Sequence, residues 1–310
     1  MISPQKAKDE GLSGAQPIQH RPGVEVSRLL KLVVSSLLHG FDALYGLLLK
    51  ISGGQPRGTC VVLYYHSVPP EQRSLFAKQL DAILETAPVI DITREVLLEP
   101  GQRRIGITFD DAFENFVSEA LPELEKRRIP ATVFVITNAL GKAFGPSKAP
   151  ERVMTARQLL DLPSDLISVG SHTATHPYLP ELDDLAARQE LSESKSALEQ
   201  LLGREITSFS FPFGGFTDRL IELASEAGYR TLFTTLPGFL FRPDHRHPAL
   251  GRVRVDPTDW PAEYRLKLAG AYRWLPLAIS LKARLKKLWK PRMKNSDTPR
   301  TRSQIQEASD

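Results

Sequence analysis

The amino-acid sequence predicts an α/β fold, a parallel β/α barrel. Strand-like runs rich in β-branched and aromatic residues alternate with helix-like stretches, which calls for crossover connections and a parallel sheet, and about seven such units are enough to close a ring. His66, Asp110, Asp111, His172, His176 and the Pro212-Phe-Gly-Gly turn each fall just past a strand-like run. In a β/α barrel the chemistry sits at the carboxyl ends of the strands, so this shared placement predicts one site.

With 310 residues and 41% hydrophobic content, the chain suits one large domain plus appendages. The formal charge of +4 comes from dispersed Lys and Arg with no nucleic-acid motif, and no nucleic-acid partner is expected. Cys60 is the only cysteine, which excludes an intramolecular disulfide framework and a zinc ribbon and fits a reducing compartment.

Residues 1–25 are polar and aperiodic, a disordered leader. Residues 26–52 form a helical segment whose part 28–51 is long enough to cross a bilayer, but Lys31, Ser35, His39, Asp42, Gly46 and Lys50 recur every three or four residues as a polar stripe. A lipid-exposed span would put His39 and Asp42 near mid-membrane. The expectation is therefore an amphipathic helix, lying at a membrane interface or docked on the catalytic domain, in a cytoplasmic or membrane-associated protein. No A-x-A-like exit follows the polar leader, so a cleavable signal peptide is not expected.

After a Gly-rich linker at 53–58, residues 59–65 read as the first strand, delivering His66. A helix at 74–86, a strand at 104–109 and a helix at 114–128 follow. Pro130 precedes a strand at 131–137, and a short helix at 155–162 leads to a strand at 166–170. A long helix at 182–202 is closed by Gly203, and then come a strand at 207–211, a helix at 218–227 and strands at 230–235 and 252–255. The catalytic domain is placed at 58–260. Residues 261–292 mix Tyr272, Trp274, Leu277, Leu281 and Trp289 with many Lys and Arg, a basic amphipathic helical segment that suits an anionic membrane surface or packing on the barrel. Residues 293–310 read as a disordered tail.

The chemistry gathers on two stretches. Ile105-Gly-Ile-Thr-Phe-Asp-Asp-Ala112 ends an apolar run on two carboxylates, which are seldom buried unless paired or bound to metal; alone, such a pair also reads as a solvated turn or a helix cap. Ser171-His-Thr-Ala-Thr-His-Pro177 places His172 and His176 four apart, on one face of a helical turn. Two imidazoles and a carboxylate with open positions form a hydrolytic metal site.

Thr108-Phe-Asp-Asp111, His172-Thr-Ala-Thr-His176 and Phe211-Pro-Phe-Gly-Gly215 together resemble the first three motifs of the polysaccharide deacetylases, carbohydrate esterase family four. The resemblance implies a distorted (β/α)7 barrel, here with flanking amphipathic helices, and divalent-metal-dependent removal of N-acetyl groups from an N-acetylhexosamine glycan, either an exopolysaccharide or a lipid-linked precursor. It implies Asp110 as general base and Asp111, His172 and His176 as ligands of zinc, or of cobalt or nickel. The substrate would lie against Pro212, Phe213 and Gly214.

The family's late Leu-x-His has no counterpart after Trp260. Leu63-Tyr-Tyr-His66 instead is similar to the circularly permuted branch that deacetylates poly-N-acetylglucosamine, implying His66 as general acid; otherwise His66 is a strand-end imidazole bonded to backbone. His245 and His247 read as loop residues. Where many members carry an arginine that orients the base, this chain has Ser210, and Arg252 is the replacement unless it forms a surface salt bridge. Asp256-Pro-Thr-Asp-Trp260 resembles a later motif, implying that Asp256 tunes the catalytic histidine and Trp260 walls the acetyl pocket, although Asp-Pro is also a common turn. The alternatives are a deacylase or deformylase of a lipid-linked amino sugar, and a catalytically silent glycan-binding protein on the same fold.

Overall fold

The computed structural model describes residues 22–94, 98–147, 149–238 and 249–289. Most of the leader, the tail from 290 and the loop holding His245 and His247 lie outside these residues. The strands are β1 (Thr59–Tyr65), β2 (Arg103–Phe109), β3 (Ala131–Val135), β4 (Ala143–Phe144), β5 (Glu151–Arg152), β6 (Ile167–Ser171), β7 (Ser208–Ser210), β8 (Thr231–Thr234), β9 (Ala249–Gly251) and β10 (Val253–Arg254). Eight of them form one parallel sheet in the order β10-β1-β2-β3-β6-β7-β8-β9, while β4 and β5 make a separate antiparallel hairpin.

Only Arg252 separates β9 from β10. β9 pairs with β8 at one end of the order and β10 pairs with β1 at the other, so the interrupted strand 249–254 brings the sheet back on itself. Counted that way, the sheet is the expected distorted (β/α)7 barrel. Its strands are near-continuous apolar runs because both faces are covered. Outward residues such as Val61, Leu63, Tyr65, Ile105 and Ile107 join the main core beneath the helices, whereas Cys60, Val62, Phe134 and Phe233 form a smaller inner cluster.

The helices are α1 (Pro22–Ile51), α2 (Arg73–Thr86), α3 (Leu121–Arg127), α4 (Ala156–Leu160), α5 (Asp184–Leu202), α6 (Asp218–Glu226), α7 (Pro261–Leu268) and α8 (Leu275–Trp289). A capping box of Thr155 and Gln158 starts α4, and Asp183 and Thr217 cap α5 and α6. Gly203 ends α5 in the left-handed conformation that a side chain would resist (φ 64°). The helix expected at 114–128 begins with a π-helical turn, Phe116–Ala120, before α3.

The boundary expected at 260 falls later. Tyr264, Leu268, Ala271 and Tyr272 are buried in the barrel's main core, and the compact unit reaches Leu275. The charges that made 261–275 look like a surface segment are satisfied internally: Lys267 Nζ lies 2.7 Å from Asp259 Oδ2 and 3.1 Å from Glu263 Oε1. A second unit begins at Pro276, and its described part is α8.

Candidate active site

Asp110 and Arg252 meet inside the barrel. Alternation along β2 turns Thr108 and Asp110 to one side. Small residues at Thr108 and Ser210 leave room there for Arg252, the largest fully buried side chain among the described residues. Its Nη1 donates to Asp110 Oδ1 at 2.7 Å and its Nη2 to Asp110 Oδ2 at 2.8 Å, a bidentate pair. Nη1 also donates to Thr108 Oγ1 (3.0 Å), Nη2 to Ser210 Oγ (2.8 Å) and Nε to the Thr234 carbonyl (3.3 Å). Tyr64, Phe134 and Phe233 enclose the guanidinium at 4.8, 5.3 and 5.8 Å from their ring centres. Burial pushes the Asp110 carboxyl upward, but the Arg252 charge, His172 and the two Arg252 hydrogen bonds outweigh it and hold Asp110 down at about 2.

Asp111 stays outside that pair. Left-handed backbone at Asp111 (φ 69°) and Ala112 (φ 56°) breaks the strand's alternation and keeps the second carboxylate at the rim. Its Oδ1 lies 3.6 Å from His172 Nε2 and 3.5 Å from His176 Nε2, and this buried oxygen has no hydrogen-bond partner. Burial, the Asp110 charge and Glu151 push its pKa well up. An orphaned carboxylate oxygen confronted by two imidazole nitrogens fits a divalent cation, since one ligand atom from each of Asp111, His172 and His176 lies within 4.8 Å of the others. His172 Nδ1 lies 2.7 Å from the Ser210 carbonyl, a contact that fixes the ring with Nε2 toward Asp111.

The two histidines do not sit on a helical turn. They converge across a loop with positive φ at Thr173 (69°) and His176 (64°), and this loop is held from α5. Glu190 Oε2 accepts the Ala174 and Thr175 amides at 2.9 Å each, and Oε1 accepts the Thr175 hydroxyl. Thr173 Oγ1 accepts the His176 amide at 2.9 Å. Removing the anchor in Glu190→Ala is expected to weaken zinc affinity about 10–100-fold, the usual effect of losing an outer support. Glu190→Gln, which keeps one carbonyl acceptor, should stay within a few-fold. Competition against a chromophoric chelator reads both variants, and equal affinity in Glu190→Ala and the parent protein would remove Glu190 from this role.

The third motif forms one wall. Phe213, left-handed at φ 57°, sets its ring 4.6 Å from His176, and Phe144 of the β4–β5 hairpin lies 5.3 Å from the same imidazole. Gly214 has φ +70°, and a Cβ there would fall 2.0 Å from Thr235 Oγ1. Pro212 is buried behind this turn.

His66 stands half-buried at the end of β1, edge-on to Tyr64 at 5.5 Å. Burial lowers its pKa to about 4; Arg254, His172 and Arg252 pull the same way, and the Asp110 charge opposes them. Two expected residues are engaged elsewhere. Asp256 Oδ1 accepts the Thr258 amide at 2.9 Å and the Thr258 hydroxyl, so this carboxylate closes a local turn, with no hydrogen bond to His66. Trp260 carries the Arg28 guanidinium 4.3 Å over its ring and faces α1.

Sequence reasoning missed Phe144, Glu190, Thr108 and the aromatic enclosure of Arg252. Phe144 sits on a two-residue strand too short for any periodicity, and Glu190 is one of many acids on a solvent-facing helix.

Residues 98–232 match the family described as polysaccharide deacetylase. Among curated relatives, YxkH of Bacillus subtilis (strain 168) is 30% identical over 159 residues, 51% of this chain and 54% of that protein. The peptidoglycan-N-acetylmuramic acid deacetylase PdaC of the same organism is 28% identical over 148 residues, 46% of this chain and 29% of PdaC. The chain thus spans about half the length, or less, of these two relatives. Among solved structures, IcaB from Ammonifex degensii superposes with a TM-score of 0.58 at 25% identity, covering 70% of this chain and 98% of IcaB. Motifs, barrel and relatives agree on one likeness: residues 98–232 match a polysaccharide deacetylase domain, and the chain is similar to the polysaccharide deacetylases.

Proposed function

We propose that the protein is a metal-dependent hydrolase that removes N-acetyl groups from an N-acetylhexosamine glycan, an exopolysaccharide or a lipid-linked precursor at a membrane surface. One observation carries the reading: a carboxylate fixed by a buried arginine stands directly beside a second carboxylate whose free oxygen faces two imidazoles. The name of PdaC, a deacetylase of an N-acetylated sugar, supports the substrate class.

Asp111, His172 and His176 would hold the cation, and their nitrogen and oxygen donors suit zinc best, with cobalt or nickel as alternatives. When bound, the metal supplies Lewis-acid polarisation of the acetamide oxygen and acidifies water. Asp110, kept ionised by Arg252, accepts a proton from the attacking water. His66, neutral at rest, takes that proton from Asp110 and delivers it to the amine as the carbon–nitrogen bond breaks, so Asp110 and His66 return to their starting states and water and amide become acetic acid and free amine. Phe213 and Phe144 flank His176 and limit stray water around the acetyl group.

Chelation is expected to abolish acetate release from chitooligosaccharides or β-1,6-linked N-acetylglucosamine oligomers, and added zinc, cobalt or nickel to restore it. A folded protein that binds zinc by calorimetry yet releases no acetate from either series would overturn polymer deacetylation. Formate release from a lipid-linked formamido sugar would then identify a deformylase, and no turnover at all a silent glycan-binding protein.

A further inference from the structure

The helix α1 is docked by its polar side and leaves its apolar side outward. Arg28, Ser35 and Asp42 recur every seven residues on one face. Arg28 Nε donates to Glu263 Oε2 at 2.6 Å, Trp274 Nε1 to Ser35 Oγ at 3.0 Å, and Arg273 bonds both Asp42 oxygens at 2.6 and 2.7 Å. Ser35 is fully buried and Leu32 packs against the barrel core. On the opposite face Leu30, Val33, Leu37, Phe41, Leu44 and Leu48 are between 54% and 71% exposed.

We infer that α1 is an in-plane membrane anchor, with its outward apolar face seated in an anionic lipid surface and its polar stripe locked to the catalytic domain. This inference rests on α1 alone and does not depend on the deacetylase reading. Charge selects lipid over a second copy of the chain. Between residues 27 and 51 the only acid is Asp42, turned inward to Arg273, while Lys31 and Lys50, on the borders of the polar stripe, are exposed; a second copy would bring these like charges together at the margins of the apolar face. A groove of about 560 Å3 beside the helix adds Arg103, Arg265 and His39, with Glu85, where headgroup phosphates can sit. Taken by itself, α8 has the same composition: Leu277, Ile279, Leu281 and Leu285 are exposed, and residues 276–290 contain five Lys or Arg and no acid.

Crossing the bilayer is disfavoured by the same contacts. A span would carry Arg28 and Asp42 into hydrocarbon and break the Arg28–Glu263 and Asp42–Arg273 ion pairs. The docked helix also runs along the barrel's flank. Arg28 lies near Trp260 and Asp259, past the carboxyl end of β10, and His39 shares its groove with Arg103, the first residue of β2.

Flotation of the full chain with vesicles of phosphatidylcholine alone, and of phosphatidylcholine with phosphatidylglycerol, tests the surface. Binding is expected with the anionic vesicles, falling about tenfold or more in Phe41→Glu/Leu44→Glu. Spin labels on Leu37→Cys and Leu48→Cys test the orientation, Cys60 being fully buried. An in-plane helix gives both labels the same shallow depth, whereas a crossing helix separates them by about 16 Å. These cysteine variants keep the test decisive even if the double glutamate variant misfolds. Unequal depths would overturn the in-plane anchor. Absence of flotation with either vesicle would overturn the lipid surface, and concentration-dependent dimers in that case would make a second copy the occupant.

Discussion

Arg252→Met should destabilise the protein by about 3–5 kcal/mol and lower acetate release about 100-fold. The stability loss follows from burial: Arg252 is fully buried and Asp110 nearly so, and deleting one partner of a buried ion pair leaves the other charge without compensation. The activity loss follows from position, because the two guanidinium bonds fix the Asp110 carboxylate in plane and in rotamer, and a displacement of about 1 Å in a reacting group costs on the order of 100-fold. Arg252→Lys should recover only part of either quantity, since a single ammonium cannot reach both Asp110 oxygens, Thr108 and Ser210 together. Arg252 Nη2 touches Ser210 Oγ at 2.8 Å, so an arginine projecting from position 210 enters the same space. Ser210→Arg in an Arg252→Ser background should therefore regain turnover that Arg252→Ser alone has lost. Urea midpoints and acetate release measure the series. Wild-type stability and turnover in Arg252→Met would show that the pair positions nothing.

The parts of this site that could be read from the sequence are those carried by local pattern. Apolar runs ending on Asp110-Asp111 and before His172 mark strand ends, because a parallel barrel buries its strands on both faces and opens only at their ends. The seven-residue recurrence of Arg28, Ser35 and Asp42 likewise lies within the stripe visible in 28–51. What failed was non-local. Lys267 and Glu263 look solvent-facing until Asp259 and Arg28 are known to satisfy them, and Arg28 lies 235 residues before Glu263. The four-residue spacing of His172 and His176 fits a helical turn and equally the left-handed loop that Glu190 pins, and spacing alone does not separate them. Asp256 was placed by motif resemblance, and its carboxylate accepts the amide and hydroxyl of Thr258, the local turn that an aspartate before proline also reads as.

Asp110→Asn is expected to lower kcat by about 100- to 10,000-fold while leaving zinc affinity within a few-fold of the parent protein. The amide keeps the size of the carboxylate and one acceptor for Arg252, but it cannot take a proton from water. Asp111→Asn should behave in the opposite order. It removes the charge of the oxygen facing His172 and His176, so zinc affinity falls by more than the roughly 10–100-fold of an outer-shell loss, and turnover falls with metal occupancy. Saturating zinc therefore rescues Asp111→Asn in part and Asp110→Asn not at all. Calorimetric zinc titration together with acetate release at low and saturating zinc separates the two. Loss of zinc binding in Asp110→Asn would make Asp110 a ligand, and full turnover would move the base elsewhere. The proposed division of labour has its origin in the backbone. Neighbouring residues on a regular strand would point to opposite faces, and the left-handed turn at Asp111 and Ala112 lets one carboxylate stay inside the barrel with Arg252 while the next remains at the rim with the imidazoles.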